Sequence, residues 1–259
     1  MFPLADTHVH LLAGRDDGPR TEDEALAMCR MLVAEGVRTA TALAHQNTTF
    51  PGNTTDTLRT AAIALAERLK AERIPLSVVP AAEVILGSET VADWQAGKLL
   101  SIADRGKCLL AEMPHGMFLD PRLIAGELRP LGVRLVLAHT ERYDQLLFDP
   151  GLTAQCIAAG CLIQVTTESL ADPPTARHDT ALREWATRGM IHVLCSDGHR
   201  IDRRQPHWQP GFRRLAKWIG LPAAERIGGI WGTALLQGLA VNPPPPKPPQ
   251  KSWFARMFG

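Results

Sequence analysis

Arg134-Leu135-Val136-Leu137-Ala138-His139 and Cys108-Leu109-Leu110-Ala111-Glu112 decide the fold. Each is a short apolar, β-prone run closed by a side chain that can bind a metal. Working outward from them, the same figure recurs. Thr39–Ala44 precedes His45, Leu76–Ala82 precedes Glu83, and His192–Ser196 precedes Asp197-Gly198-His199. Asp6-Thr7-His8-Val9-His10 opens the series near the N-terminus. The runs show little polar alternation, which marks strands buried on both faces, as in a parallel sheet wrapped by helices. Polar groups gathered at the C-terminal ends of parallel strands are how barrel enzymes build their active sites.

Helical patterns separate these strands. Thr21-Glu22-Asp23-Glu24 reads as a capping box, opening a helix that runs to about Ala34 and stops at Gly36. Thr57–Glu72 places Leu58, Ala62, Leu65 and Leu69 on one face. Further helices are expected near Val91–Ala96, Pro121–Leu131, Leu152–Ala159, His178–Arg188, Gly211–Ile219 and Ala223–Leu239. About seven βα units follow, which favours a barrel over an open doubly wound sheet. One domain is expected over residues 1–241. Residues 242–259 differ: Asn242-Pro243-Pro244-Pro245-Pro246-Lys247-Pro248-Pro249 must be extended. The end, Lys251-Ser252-Trp253-Phe254-Ala255-Arg256-Met257-Phe258-Gly259, is aromatic and basic. It reads either as a plain terminus or as a docking peptide, on a stiff spacer, for a protein or a membrane surface.

Composition narrows the class. The 259 residues are 45% hydrophobic, enough for one large α/β core, and the net charge of +1 gives no reason to expect nucleic acid as a partner. No signal-peptide pattern and no membrane-spanning apolar run is present. The five cysteines are odd in number and lack CxxC spacing, so they read as reduced, mostly buried thiols of a cytoplasmic protein. A cysteine-dependent phosphatase needs an arginine six positions after its cysteine. Cys195 comes closest, with Arg200 five positions on.

His8 and His10 flank Val9, and on a strand two such imidazoles share a face. Asp6 lies on that side and reads as an orienting group. A lone HxH is weak evidence, and Asp16-Asp17-Gly18-Pro19 by itself is turn chemistry. Glu83, Glu112, His45 and His139 carry more weight together, because a carboxylate directly after buried apolar residues is costly unless paired or metal-bound. Arg142, Arg203, Arg204 and His207 lie close after the ligand-type residues. Guanidinium forks beside a metal cluster suit a phosphate.

The ordered series HxH, DDGP, strand-terminal His, AAE, AEMP, AHTERYD and SDGH…RxPH resembles the polymerase-and-histidinol-phosphatase (PHP) superfamily, over roughly residues 4–240. Within it the chain resembles the bacterial manganese-dependent protein-tyrosine phosphatases of capsular and exopolysaccharide loci. That resemblance implies a distorted (β/α)7 TIM-like barrel with a trinuclear site. One metal would use His8, His10, Glu83 and Asp197. A second would use Glu83, Glu112 and His139, and a third Asp17, His45 and His199. It implies three divalent ions, Mn first, with Fe or Zn also suiting the mixed nitrogen and oxygen donors. Arg142 and Arg204 match phosphate-binding positions. Relatives often carry a second basic or His residue where this chain has Gln46, which leaves substrate preference open.

The reaction so implied is hydrolysis of phosphotyrosine by metal-activated hydroxide, with His207 a candidate acid. The implied substrate is a bacterial tyrosine kinase that controls capsule or exopolysaccharide synthesis. The protein would be cytoplasmic or peripheral to the inner face of the membrane. The alternatives are a small-molecule phosphatase, such as one acting on histidinol phosphate, and a catalytically weak docking or regulatory module.

Overall fold

The computed structural model describes residues 2–249. Nine strand pieces are present: β1 (Leu4–Asp6), β2 (Val37–Ala42), β3 (His45–Gln46), β4 (Ser77–Pro80), β5 (Glu83–Ile85), β6 (Cys108–Glu112), β7 (Arg134–Leu137), β8 (Leu162–Thr166) and β9 (Val193–Cys195). They pair in parallel, in the orders β1-β2-β4 and β3-β5-β6-β7-β8-β9. β2 leads into β3 and β4 into β5 across breaks at 43–44 and 81–82, so the nine pieces make seven staves. The ring closes between the first and last staves. Thr7 N donates to Leu194 O (3.4 Å), Asp197 N to His8 O (2.9 Å) and His10 N to Gly198 O (2.9 Å). These bonds select the distorted barrel over the open sheet.

Each stave sends at least one apolar residue to the lower interior: Ala5, Leu43, Ala81, Leu110, Val136, Leu162 and Val193 lie in one buried cluster. Leu235 and Leu236, from the helix Gly232–Leu236, close its floor together with Val241. The outward residues Leu109, Leu137, Ile163 and Leu194 pack in the larger cluster with Leu32, Leu58, Leu128 and Trp185 of the helices. Because side chains alternate along a strand, the inward face returns two residues later. There it carries His45, Glu83, Glu112 and Gln164.

Several expectations are revised. Thr39–Ala44 and Leu76–Ala82 are not unbroken strands. His45 and Glu83 begin the second pieces of their staves, whereas Glu112 ends β6. β1 stops at Asp6, so His8 and His10 lie beyond it, and His10 is held by a single bridge to Leu43. The second helix starts two residues earlier than expected, at Thr55, where Thr54 caps it by accepting from Thr57 N. Helix Glu22–Ala34 is capped by Thr21 as expected, but the Glu24 carboxylate reaches Arg20 N rather than closing on Thr21. The helix expected at Ala223–Leu239 is present as a continuous run from Leu221 to Leu236, with a π-helical turn at Arg226–Trp231 set into it. Gly229 and Gly232 press on the first stave there. A Cβ at Gly229 would lie 2.8 Å from Pro3 O, and one at Gly232 would lie 3.0 Å from Ala5 Cβ.

Residues 242–249 form neither helix nor strand, and Lys247 among them is tied to the end of the helix Ala176–Arg188. Lys247 N donates to Arg188 O (2.8 Å) and Arg188 Nε to Lys247 O (3.0 Å). The aromatic and basic end, 251–259, lies outside the described residues. Among the described residues no helix is long and apolar enough to cross a membrane.

Candidate metal centre

Above the apolar layer the nine ligand-type residues converge. Glu83, almost wholly buried, is the hub. Its Oε2 lies 3.1 Å from His8 Nε2, 3.3 Å from His10 Nε2 and 3.2 Å from His45 Nδ1, and its Oε1 lies 2.9 Å from His139 Nε2. Glu112 stands 3.7 Å from His45 Nδ1 and 3.8 Å from His139 Nε2. Asp17 Oδ1 stands 3.6 Å from His45 Nε2 and 3.5 Å from His199 Nε2. Asp197 Oδ1 lies 3.4 Å from His8 Nε2. Four overlapping groups have donor atoms close enough to share an ion: His10–Asp17–His45–His199, His8–His10–Asp197, His8–Glu83–His139 and His45–Glu83–Glu112. They join the nine residues into one centre, though divided differently from the partition that the resemblance implies.

Local backbone places these groups. His139 follows the inward Ala138 and would point outward, but a left-handed turn (φ 31°) swings it in. Asp197 (φ 52°) and Arg204 (φ 50°) are bent the same way. Left-handed non-glycine residues persist only where surrounding structure enforces them, and they gather at functional sites. Asp6 does not orient an imidazole as expected. Its carboxylate accepts from His8 N (3.2 Å), Ser196 N (3.1 Å) and Trp208 Nε1 (2.8 Å), tying the first stave to the last.

Two tests of fit favour cations. His8 Nε2 and His10 Nε2 face each other at 3.2 Å. Their Nδ1 atoms face acceptors, Gln164 Oε1 at 3.0 Å and Asp16 Oδ2 at 2.7 Å, so in the neutral rings two lone pairs point into one space. Glu112 Oε1, Asp197 Oδ1, His45 Nδ1 and His199 Nε2 are buried without a hydrogen-bond partner, whereas buried polar atoms normally have one. These nitrogen and oxygen donors match the borderline divalent transition metals.

In the ion-free centre the charges act strongly on one another, driving His45 neutral while favouring on His10 a proton that a metal would displace. Burial opposes ionisation of Glu83, but His8, His10 and His139 outweigh it and hold the carboxyl well below its usual range. Burial likewise opposes ionisation of Asp197, and His8 and Arg142 overcome it. Glu112 is pushed up to about 6 by burial and by the Glu83 charge. Burial and then the His10 charge press His45 down to about 4, leaving it neutral as a ligand must be. Burial alone would lower His10, yet Asp16 and Glu83 raise it well above the ordinary value.

A cavity of about 600 Å³ opens over the centre. Arg142 Nη1 and Arg204 Nη2 reach into it, and both lie 2.5 Å from Asp197 Oδ2. Less polar residues also line the cavity: Pro114, Met117 and Phe118 from the loop after β6, with Tyr143, whose hydroxyl accepts from Met113 N at 2.9 Å. His115 lines it too. The sequence reading missed this part of the lining, because Met, Phe and Tyr carry no metal-type signal. His207 is not among the lining side chains. It is 55% exposed and faces Glu35 at 3.8 Å, which does not place it to protonate a leaving group. Gln46 also turns aside. Its amide donates to Lys98 O (2.9 Å) and accepts from Leu100 N (2.9 Å), bracing the loop that precedes β6. The five cysteines are buried and unbridged. The Cys195 thiol faces Val165 O at 3.8 Å, and burial with the Asp6 and Asp197 charges pushes it well above its usual range. A thiol in that state is no nucleophile.

Comparison with known proteins places this architecture. The family described as "Capsular polysaccharide synthesis, CpsB/CapC" matches residues 4–236. The tyrosine-protein phosphatase YwqE of Bacillus subtilis is 31% identical over 220 residues, covering 84% of this chain and 85% of that protein. The tyrosine-protein phosphatase CpsB of Streptococcus pneumoniae is 23% identical over 229 residues, 86% of this chain and 94% of that one. A crystal structure from work on YwqE and CpsB, described there as metal-dependent tyrosine phosphatases, superposes with a TM-score of 0.85 at 28% identity, covering 96% of this chain and all of the other. The chain therefore belongs to the CpsB/CapC family of capsular polysaccharide synthesis proteins.

Proposed function

We propose that this protein is a metal-dependent, cysteine-independent protein-tyrosine phosphatase, and that its substrate is a phosphotyrosine protein, a bacterial tyrosine kinase of capsule or exopolysaccharide assembly. The observation that carries the reading is the convergence on one buried carboxylate, Glu83, of imidazoles from separate staves beneath two arginines. His8, His10, Asp17, His45, Glu83, Glu112, His139, Asp197 and His199 would hold three divalent ions, Mn in the first instance. Bound there, the ions would activate water for attack and withdraw charge from the phosphoryl oxygens.

The chain's own groups do the rest. Arg142 and Arg204 meet at one oxygen of Asp197, so their guanidinium forks stand close enough to grip a single phosphoryl group. Burial would lower Arg142, but the Asp197 and Glu141 charges keep it fully protonated, a fixed cation for the equatorial charge of the transition state. Met117, Phe118 and Tyr143 give an aromatic leaving group an apolar wall, which favours phosphotyrosine over a small polar phosphate ester. A phenolate departs with little protonation, so the withdrawal of His207 from the cavity is no obstacle. The domain would comprise residues 1–241, work in the cytoplasm beside the inner membrane face, and meet a protein or membrane surface through the tail, residues 242–259.

The test is hydrolysis of a phosphotyrosine peptide by metal-stripped protein after adding Mn, with histidinol phosphate in parallel and His139→Ala and Cys195→Ser variants. The reading expects Mn-restored peptide turnover, lost in His139→Ala and kept in Cys195→Ser. Cleavage of histidinol phosphate with the peptide left intact would move the protein to small-molecule metabolism. Turnover abolished in a folded Cys195→Ser variant would overturn the metal mechanism.

A further inference from the structure

Three imidazoles of the centre have their Nδ1 atoms committed. His8 Nδ1 faces the Gln164 amide oxygen at 3.0 Å, His199 Nδ1 faces the Asp197 carbonyl at 2.9 Å, and His10 Nδ1 faces Asp16 Oδ2 at 2.7 Å. Of these three only His10 has a carboxylate as its Nδ1 hydrogen-bond partner; His199 Nδ1 bonds a carbonyl and stands 3.6 Å from Asp197 Oδ1. The Asp16 side chain is wholly buried, and it does more than touch His10. The same Oδ2 accepts from His45 N at 2.8 Å, while Oδ1 accepts from Gly18 N at 2.9 Å. One carboxylate thus joins the His10 ring, the start of the β3 piece that carries His45, and the turn that carries Asp17. The turn is shaped for this. A Cβ at Gly18 would sit 2.9 Å from Asp16 Oδ1 and 3.0 Å from His10 Cβ. His10 in turn lies where two of the ligand groups overlap, one with Asp17, His45 and His199, the other with His8 and Asp197.

We infer that Asp16 is the positioning residue of the metal centre: it fixes His10 as an Nε2 ligand and makes the ion sites that share His10 bind more tightly than the groups that lack it, His8–Glu83–His139 and His45–Glu83–Glu112. The physical reason is the bond on the far nitrogen. A carboxylate accepting from Nδ1–H fixes the tautomer, locks the ring and makes Nε2 a stronger donor. The Gln164 amide gives His8 the orientation without the charge. The inference rests on the metal reading proposed above, and its readout is ion binding, so it can fail separately from that reading.

The experiment is equilibrium dialysis of metal-stripped full-length protein against graded free Mn, counting ions per chain, for the wild type, Asp16→Asn and Asp16→Asn with His139→Ala. Melting of the ion-free chains is recorded alongside. Asp16→Asn should move the tight part of the isotherm to about 10- to 100-fold higher Mn, the usual effect of losing such a partner. Its weakest phase should stay in place and vanish when His139→Ala is added. A merely structural role would instead lower the melting temperature of the ion-free chain and weaken all ions alike, which would overturn the inference, as would an isotherm that superposes on the wild type. Should Asp16→Asn not fold, 15N spectra of the Zn-loaded wild type decide. A protonated, hydrogen-bonded Nδ1 on His10 supports the inference, and a metal-bound Nδ1 overturns it. A wild type that binds no Mn overturns both readings, whereas normal wild-type binding with an unmoved variant overturns this one alone.

Discussion

The barrel interior has two halves made by the same staves. Leu43, Ala81 and Leu110 lie in the lower half, and two residues on, His45, Glu83 and Glu112 lie in the upper half. The lower half is apolar, floored by Leu235 and Leu236, and makes the fold stable. The upper half is a knot of buried ionisable groups with unsatisfied donor atoms, which no fold needs for stability. A single step of the strand repeat therefore separates packing from chemistry, and height along the stave, not residue type alone, tells a reader which to expect.

Substitutions in the two halves should separate in the same way. The largest effect belongs to the hub. Glu83→Gln should lower peptide turnover by about 10²–10³-fold, the scale seen for removing one preorganised charge-stabilising group, and abolish the rise in melting temperature on adding Mn. The ion-free variant should also melt lower, because His8, His10 and His139 favour the ionised carboxylate in the fold, but that loss should be small beside the loss of activity. A fall in ion-free stability matching the fall in activity would erase the distinction between the halves. In the lower half, Leu110→Ala should cost about 2–5 kcal/mol in urea unfolding while leaving turnover per folded molecule intact. Lost turnover in a chain that remains folded would show that the apolar layer also tunes the site.

Gly198→Ala probes the seam. A Cβ there would come within 2.7 Å of Pro206 Cβ and push the loop that carries Arg204. A displacement of this kind can cost up to about 10²-fold in kcat/KM, and the loss should exceed any change in Mn affinity. The smallest effect concerns His192, which is buried below the centre and takes a hydrogen bond from Ile163 N on Nδ1. Burial and then the Arg134 charge press its pKa from the usual 6.5 to about 3. Unfolded chains therefore take up a proton that folded ones refuse, and stability falls as pH drops from 6.5 towards 3. Between pH 6.5 and 5 the loss is about 2 kcal/mol. His192→Asn, which keeps an acceptor for Ile163 N, should flatten that part of the stability profile. An unchanged slope would assign the acid sensitivity to the metal-centre residues instead.

The sequence showed the upper half better than its supports. An apolar run closed by Glu or His can be read because burying such a group needs a reason, and this found Glu83, Glu112, His139 and Asp197. The strand breaks before His45 and Glu83 were hidden, since Leu43-Ala44 and Ala81-Ala82 look like more strand. The left-handed turn at His139 leaves no mark in residue type. Asp16 looked like turn chemistry and is turn chemistry, but its carboxylate also holds His10, a contact set by the meeting of two staves. Nothing in residue type or spacing singled out Gln164, Met117 or Phe118. The glycines at 229 and 232, in and just after the π-turn of the last helix, could have warned of close packing against the first stave.

The central claim is that the upper half of this barrel is a multi-ion phosphatase centre. It is tested most directly by adding Mn stepwise to metal-stripped protein while counting bound ions and following phosphate release from a phosphotyrosine peptide in the same samples. The account predicts no release without Mn and activity that climbs to a plateau as the third ion per chain binds. Full activity in the presence of a chelator, or a plateau reached with no ion bound, would contradict it.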